Sequence, residues 1–568
     1  MKRNIFSIFK LFNFYILAAA LLLTSCSDML ETESELVEYD KDNTLNHPTD
    51  SVHSVLGIVN KLQFIADRTQ LLGEVRGDLT TVTDAASADL KRLAAFNLAE
   101  GNKYNQVSDY YAVINNCNYY LAHVDTAMER RGHNLFLAEY AAVKTFRAWT
   151  YMQLAQAYGQ VPLVLTPVMT EPEARAAMNQ PRVGIDEICD YFIKDLTPYA
   201  GVELPRFGAI NSMDSQKFFY PLRVMLGDLC LWAGRYREAA TWYHDYLTDP
   251  KQPLPLLSTR SVWPNPTEFT SPRFGYVVTN MGEVISYIPM EQRVFDGVVS
   301  DLDNIYESTR ENSYYYSLTP SRQMRRLSAD QIYCIEYKTA TRTDTLYAPR
   351  AGFSNSLYAG DLRLCSNFRV TSMGGQSDYS EYNSEYQTMN KVTTSMVPMC
   401  RCTMVYLRYA EALNRAGLPQ SAMVVLKYGP CEKNFKAYVD SLEQAKAGAL
   451  INFEDAIFTR ETVIGVHSRG SGDSQANPFY VLPQPATQLA TRQDTIDYQV
   501  PLVENMIIDE MALEGAFEGY RFYDLMRVAM RRGDAAYLAD PVSRRNGEVD
   551  DALRTLLMDS KNWYLPLP

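Results

Sequence analysis

The chain has 568 residues, 46% of them hydrophobic, with a formal net charge of −13. That is ample apolar surface for a large core, and the acidic balance argues against nucleic acid or anionic headgroups as partners. Nine cysteines at irregular spacing do not make a disulfide framework in a body this large, and the close pair Cys400 and Cys402 has no histidine near it to complete a zinc site.

At the N-terminus Lys2, Arg3 and Lys10 precede an apolar run from Leu11 to Leu23. This is the layout of a signal segment over 1–25, too short for a span of about 20 apolar residues. The run ends in Leu23-Thr24-Ser25-Cys26, which looks like a bacterial lipobox with Cys26 as the acylated residue. Several acyl chains at about 0.8 kcal/mol per buried methylene would make that anchoring effectively permanent. The following stretch is acidic and lacks helix caps, so residues 26–50 are expected to be a flexible tether.

From 51 to 250 the pattern is helical. Apolar residues recur at Val52, Val55, Leu56, Val59 and Leu62. In the helix ending at Tyr158, Ala141, Thr145, Ala148, Met152 and Ala155 make a face of mostly small residues, with Gly159 and Pro162 as stop signals. Leu222 to Leu247 carries Gly227, Gly234 and Ala239 near the spacing of a tetratricopeptide repeat. Leu407 to Leu426 repeats the scheme with Ala410, Ala412, Gly417 and Ala422. One helix pair buries little alone, so the segments 105–158 and 503–532 are counted as further units. Residues 251–402 are rich in Pro, Ser, Thr, Asn and Tyr with short β-prone runs, and read as a folded, loop-rich insertion. Residues 403–568 return to helices. The fold class is therefore mainly α: about four tetratricopeptide-like helix pairs with a loop-rich, short-strand subdomain inserted.

The stretch Ala512 to Val528 places Glu514, Glu518, Arg521, Asp524 and Arg527 within five turns. On one continuous helix these form an alternating carboxylate–guanidinium ladder that satisfies its own charges. The arginines would hold the carboxyls ionised and leave no proton donor, so the stretch reads as a structural strut rather than a catalytic pair. Gly515 and Gly519 each cost about 1 kcal/mol in a helix interior, which implies a backbone packed close against them.

Several marks occur together in order. They are Arg147-Ala148-Trp149 with Tyr158-Gly159-x-Val161-Pro162; Leu407-Arg408-x-Ala410-Glu411-Ala412; Glu518-Gly519-Tyr520-Arg521-x-x-Asp524-Leu525; and Trp563-Tyr564-Leu565-Pro566-Leu567-Pro568. With the lipobox, they resemble the SusD/RagB nutrient-binding outer-membrane lipoproteins over essentially the whole chain. The acidic run after Cys26 likewise resembles the surface-export signal of Bacteroidetes lipoproteins. The resemblance implies a non-catalytic receptor, lipid-anchored in the outer membrane and facing the cell exterior. It would capture an oligomeric nutrient, usually a glycan, and act as the lid of a SusC-type TonB-dependent transporter. Sites in that family are aromatic arcs on variable loops. Texture alone selects Asn102, Tyr104, Trp263, Tyr314, Tyr315 and Tyr316 as ligand-binding residues here.

No cofactor or metal is expected. The sequence has no G-x-S-x-G elbow, P-loop, H-E-x-x-H or G-x-G-x-x-G, and Ser300 to Asn304 lacks the glycine and closing glutamate of an EF-hand loop. Two other readings stay open: a non-catalytic envelope-assembly repeat adaptor, and a helical-toroid polysaccharide-degrading enzyme.

Overall fold

Helix α1 (Pro48–Val75) opens on a proline, whose missing N–H is one of the donors that a first turn leaves unpaired anyway. The His47 ring accepts from the Thr49 N–H at 3.3 Å. Residues 48–50, expected to belong to the tether, are thus the first turn of a helix. The computed structural model describes residue 45 and residues 47–251, 283–293, 297–307, 316–338, 340–348, 360–372, 385–454, 458 and 463–567. Cys26, Trp263, Tyr314 and Tyr315 lie outside them.

A short helix, α2 (Ala88–Ala94), is capped by Ser87, which accepts from the Leu90 N–H at 3.2 Å. The repeat scaffold follows with α3 (Val107–His123), α4 (Leu137–Tyr158), α5 (Ile185–Leu196), α6 (Leu222–Trp232) and α7 (Tyr236–Leu247). After the insertion come α8 (Cys402–Arg415), α9 (Pro419–Met423, continued by a wider turn over Val424–Tyr428), α10 (Arg492–Gly515) and α11 (Arg521–Arg532). Helices α3 and α4, α6 and α7, α8 and α9, and α10 and α11 pack as pairs. Neighbours continue from α4 through α5 to α6, from α7 to α8 and from α8 to α10, and α11 returns to α1. The mainly helical, paired architecture matches the expectation.

Two of the pairs turn the same way. Arg235 N–H reaches back to Cys230 O at 2.8 Å, and Leu418 N–H to Leu413 O at 3.1 Å. Each turn needs a residue at positive φ, supplied by Gly234 (φ +75°) and Gly417 (φ +76°). Asp228 on α6 then ties three helices together. Tyr220 and Tyr243 donate their hydroxyls to it at 2.6 Å, and Arg408 of α8 donates at 3.0 Å. From Ala141 to Tyr158 every residue of α4 except Gln153 is buried, so the small-residue face is interior and Arg147, Tyr151 and Leu154 are too.

The described part of the insertion is built of strand pairs and single-turn helices. In chain order the strands are β1 (Thr80–Val82), β2 (Val284–Pro289), β3 (Leu318–Pro320), β4 (Tyr333–Lys338), β5 (Thr343–Ala348), β6 (Phe368–Ser372), β7 (Glu385–Met389) and β8 (Met396–Arg401). They form two-stranded antiparallel pairs: β1 with β3, β2 with β8, β4 with β5 and β6 with β7. Since β1 follows α1 directly, the β1–β3 pair stitches the insertion to the first helix. All eight described cysteines are buried free thiols.

Gly227 fixes how closely α6 and α7 approach. A Cβ there would lie 2.5 Å from Cε1 of Tyr243. Gly227→Ala must therefore displace the ring that hydrogen-bonds Asp228, at an expected cost of about 1–3 kcal/mol. Urea denaturation at neutral pH checks this, and an unchanged midpoint would contradict the packing described.

Candidate functional site

The stretch from Ala512 to Val528 is not one helix. Helix α10 ends at Gly515, the chain turns through Phe517 (φ +71°) and Gly519 (φ +83°), and α11 starts at Arg521. The close backbone approach exists at Gly519, where a Cβ would sit 2.4 Å from Cα of Gln70, and a Cβ on Gly73 of α1 would overlap the Gly519 carbonyl. Gly515 faces side chains of Tyr520 and Met404 instead.

The break also undoes the expected ladder. Asp524 and Arg527 do pair within α11, at 2.8 Å. Otherwise each charge reaches a distant segment. Glu514 meets Arg401 at 3.1 Å and both Arg363 and Arg469 at 3.2 Å. Glu518 meets Lys391 and Arg401 at 2.6 Å, Arg521 meets Asp78 at 2.7 Å, and Arg527 also binds Glu411. Beside them Glu510 pairs with Arg363 and with His467 Nδ1, the latter at 2.9 Å. These groups are buried. Burial works to raise the carboxyl of Glu514, but Arg469, Arg401 and Arg363 overrule it and hold it well below the usual range. The carboxyl of Glu510, also opposed by burial, is held down to about 2 by Arg363 and His467. Held ionised this firmly, Glu510 and Glu514 cannot donate a proton. At Asp524, however, burial outweighs Arg527 and raises the carboxyl, contrary to the expectation for the ladder. The network joins the insertion to α10 and α11.

The texture-selected residues sit elsewhere. Asn102 and Tyr104 are 1% and 5% exposed. The Asn102 amide donates to Asp89 O at 3.1 Å and its oxygen accepts from the Tyr104 N–H at 3.0 Å. With its ring covered, Tyr104 offers no face to a sugar, and the pair acts as a turn lock. Tyr316 is half-buried beside Thr83, whose hydroxyl donates to its carbonyl at 2.6 Å. Ser300 donates to Asp67 at 2.7 Å, which commits that segment to α1. Among the described residues no group of His, Cys, Asp or Glu is placed to hold a metal ion.

A different place has the shape of a binding site. The C-terminal segment 560–567, the end of α4 and the end of α2 enclose a groove of about 770 Å³. The strand-like run after Trp563 is held by Leu565 N–H donating to Ala157 O at 2.8 Å and by Arg76 donating to Trp563 O at 2.7 Å. Tyr564 lies on Gly159, where a Cβ would come within 3.0 Å of its ring, so glycine is required both for that approach and for its φ of +77°. Phe96 forms part of the opposite wall. Asn97 N–H reaches back to Arg92 O at 3.0 Å, the same kind of turn as at Gly234 and Gly417, yet the residue at positive φ (+54°) is a phenylalanine. A bulky side chain pays about 1–2 kcal/mol for that conformation. The ring is fixed by Phe522 at 5.7 Å, which Arg76 covers from 4.4 Å. Half-buried rings of Phe96 and Tyr564 with the amides of Asn97, Gln160 and Asn562 give apolar faces edged by hydrogen-bonding groups. Among the described residues no carboxylate lines the groove.

One buried acid can be tested directly. Glu74 of α1 receives the N–H groups of Gly519 (3.2 Å) and Phe517, but burial dominates and pushes its carboxyl up to about 7, with Asp78 adding to the rise and Lys391 opposing it. Its folded pKa is raised above the unfolded value, so the folded state binds the extra proton and stability falls as pH rises from about 4.5 to 7. Glu74→Gln removes this term: between pH 5 and 8 the variant should gain on the wild type by on the order of 2–3 kcal/mol. Parallel urea slopes against pH for the two proteins would contradict it.

No family model and no curated protein matches the sequence. Solved structures do match its fold. A SusD superfamily protein from Bacteroides fragilis aligns with TM-score 0.55 at 14% identity, over 90% of this chain and 94% of its own. One from Bacteroides vulgatus gives 0.54 at 13%, over 91% and 95%. A SusD-like carbohydrate binding protein from Bacteroides fragilis gives 0.53 at 16%, over 86% and 88%. The chain is built on the SusD-like fold.

Proposed function

We propose that the protein is a non-catalytic receptor that binds an oligosaccharide in the groove between Phe96 and Tyr564. The observation that carries this reading is the groove itself: aromatic faces and amides held on rigid segments, with no carboxylate among the described lining residues to serve as acid or base. The description of one structural neighbour as a carbohydrate binding protein supports it. The strained φ of Phe96 supports it too, since such strain concentrates where a side chain must be presented.

The proposal extends to the cell. The lipobox reading makes Cys26 the anchor in the outer membrane, facing outward, and the SusD-like fold suggests a SusC-type TonB-dependent barrel as partner. The receptor would close over the barrel as a lid and release its oligosaccharide inward. A lid that has to retain its cargo needs a large interface, well above about 1,000 Å².

Two measurements check this. Affinity capture from outer membranes in mild detergent is expected to recover a barrel of transporter size with the protein; recovery of the protein alone contradicts the partnership. Phe96→Asn keeps a residue tolerant of positive φ but removes the ring, and is expected to weaken oligosaccharide binding about fivefold to tenfold, as loss of about 1 kcal/mol of stacking does. Unchanged affinity would remove the groove from consideration.

A further inference from the structure

The groove has a cationic lining on a chain whose overall balance is acidic. The protein has 67 acidic and 54 basic residues, and its exposed arginines commonly meet a carboxylate, as Arg175 meets Glu171, Arg326 meets Asp330 and Arg554 meets Asp540. Around the groove the balance is reversed. Arg76, Arg182 and Lys561 contribute to its lining, and among the described residues neither aspartate nor glutamate does.

The three cations differ in what they are free to do. Arg76 is buried and its guanidinium is committed to Leu72 O, Trp563 O and the Tyr523 hydroxyl, so it supplies field rather than contact. Arg182 and Lys561 are exposed, and neither forms an ion pair with the described residues. Both stand on fixed backbone. Arg182–Val183 pairs antiparallel with Val161–Pro162, directly after Gly159, and Lys561 lies in the short helix Ser560–Trp563, where Asp559 accepts the Lys561 backbone N–H at 3.1 Å. Asp559 thereby serves the backbone and leaves the lysine ammonium available. An unpaired guanidinium offers a planar fork of donors suited to a carboxylate or sulfate, and the ammonium a compact second charge.

We propose that the groove selects an anionic oligosaccharide, one whose sugars carry carboxylate or sulfate-ester groups, with Arg182 and Lys561 binding the charges while Phe96 and Tyr564 receive the ring faces. This rests on the reading of the groove as an oligosaccharide site and deepens it. Neutral glycans would leave two cations unanswered; a free inorganic anion would leave the aromatic walls unused.

The test uses the full chain in detergent and four probes: an oligogalacturonide and its carboxyl-reduced neutral counterpart, and a carrageenan oligosaccharide and its desulfated counterpart. At least one charged member is expected to bind about tenfold tighter than its neutral counterpart, with affinity falling as salt rises. The two pairs separate a carboxylate ligand from a sulfate one. Arg182→Gln with Lys561→Gln, both exposed and therefore compatible with folding, should abolish that difference, and Phe96→Asn should weaken both members. If neutral and charged probes bind alike, indifferent to the double substitution but weakened by Phe96→Asn, the anion preference is wrong and the oligosaccharide site stands. If no probe binds, or binding ignores Phe96→Asn, both readings fail.

Discussion

Everything in this structure hangs from the five-residue turn between α10 and α11. Glu518 holds the insertion through Lys391 and Arg401, Gly519 lies against the backbone of α1, and Arg521 grips Asp78 at the end of that helix. Buried ion pairs seldom stabilise relative to well-packed apolar residues, but removing one partner strands the other at about 3–5 kcal/mol. Here the effect is one of registration: three segments far apart in sequence meet at one place, and a displaced charge would have no water to turn to.

The groove depends on that registration at one remove. Arg76, one residue beyond α1, reaches both Tyr523 on α11 and the carbonyl of Trp563. It fixes the C-terminal segment to the scaffold, and Tyr564 then comes to lie over Gly159. Phe96 is braced from the same side through Phe522. A groove wall made of helix ends and turns is thus rigid because its supports are buried in the helical core. Under the proposed function, this arrangement would keep the ordering cost of binding low.

The helical architecture was legible because small residues recur where helices touch. Gly227, Gly234 and Gly417 have local reasons to be glycine, and those reasons show in sequence spacing. The charge partners were not legible. Counting along a presumed helix pairs Glu518 with Arg521, whereas the turn at Gly519 sends one to Lys391 and the other to Asp78; no periodicity reports a contact across more than a hundred residues. The groove was hidden for the same reason. Arg182 and Lys561 are separated by most of the chain, and Phe96 reads as an ordinary helix end until its φ is known. The signals the groove did have were Tyr158-Gly159 and the closing Trp563-Tyr564-Leu565-Pro566 run. Aromatic texture pointed to Tyr104, which the fold uses as packing.

The central claim is that ligand lodges between the ends of α2 and α4 and the C-terminal segment. Hydrogen–deuterium exchange of the intact protein, with and without a saturating acidic oligosaccharide, tests it most directly. Protection confined to residues 93–98, 157–162 and 560–567 is the expected result. Protection absent there and confined to residues 83–91 and 300–307 would place the ligand on another face and contradict the account.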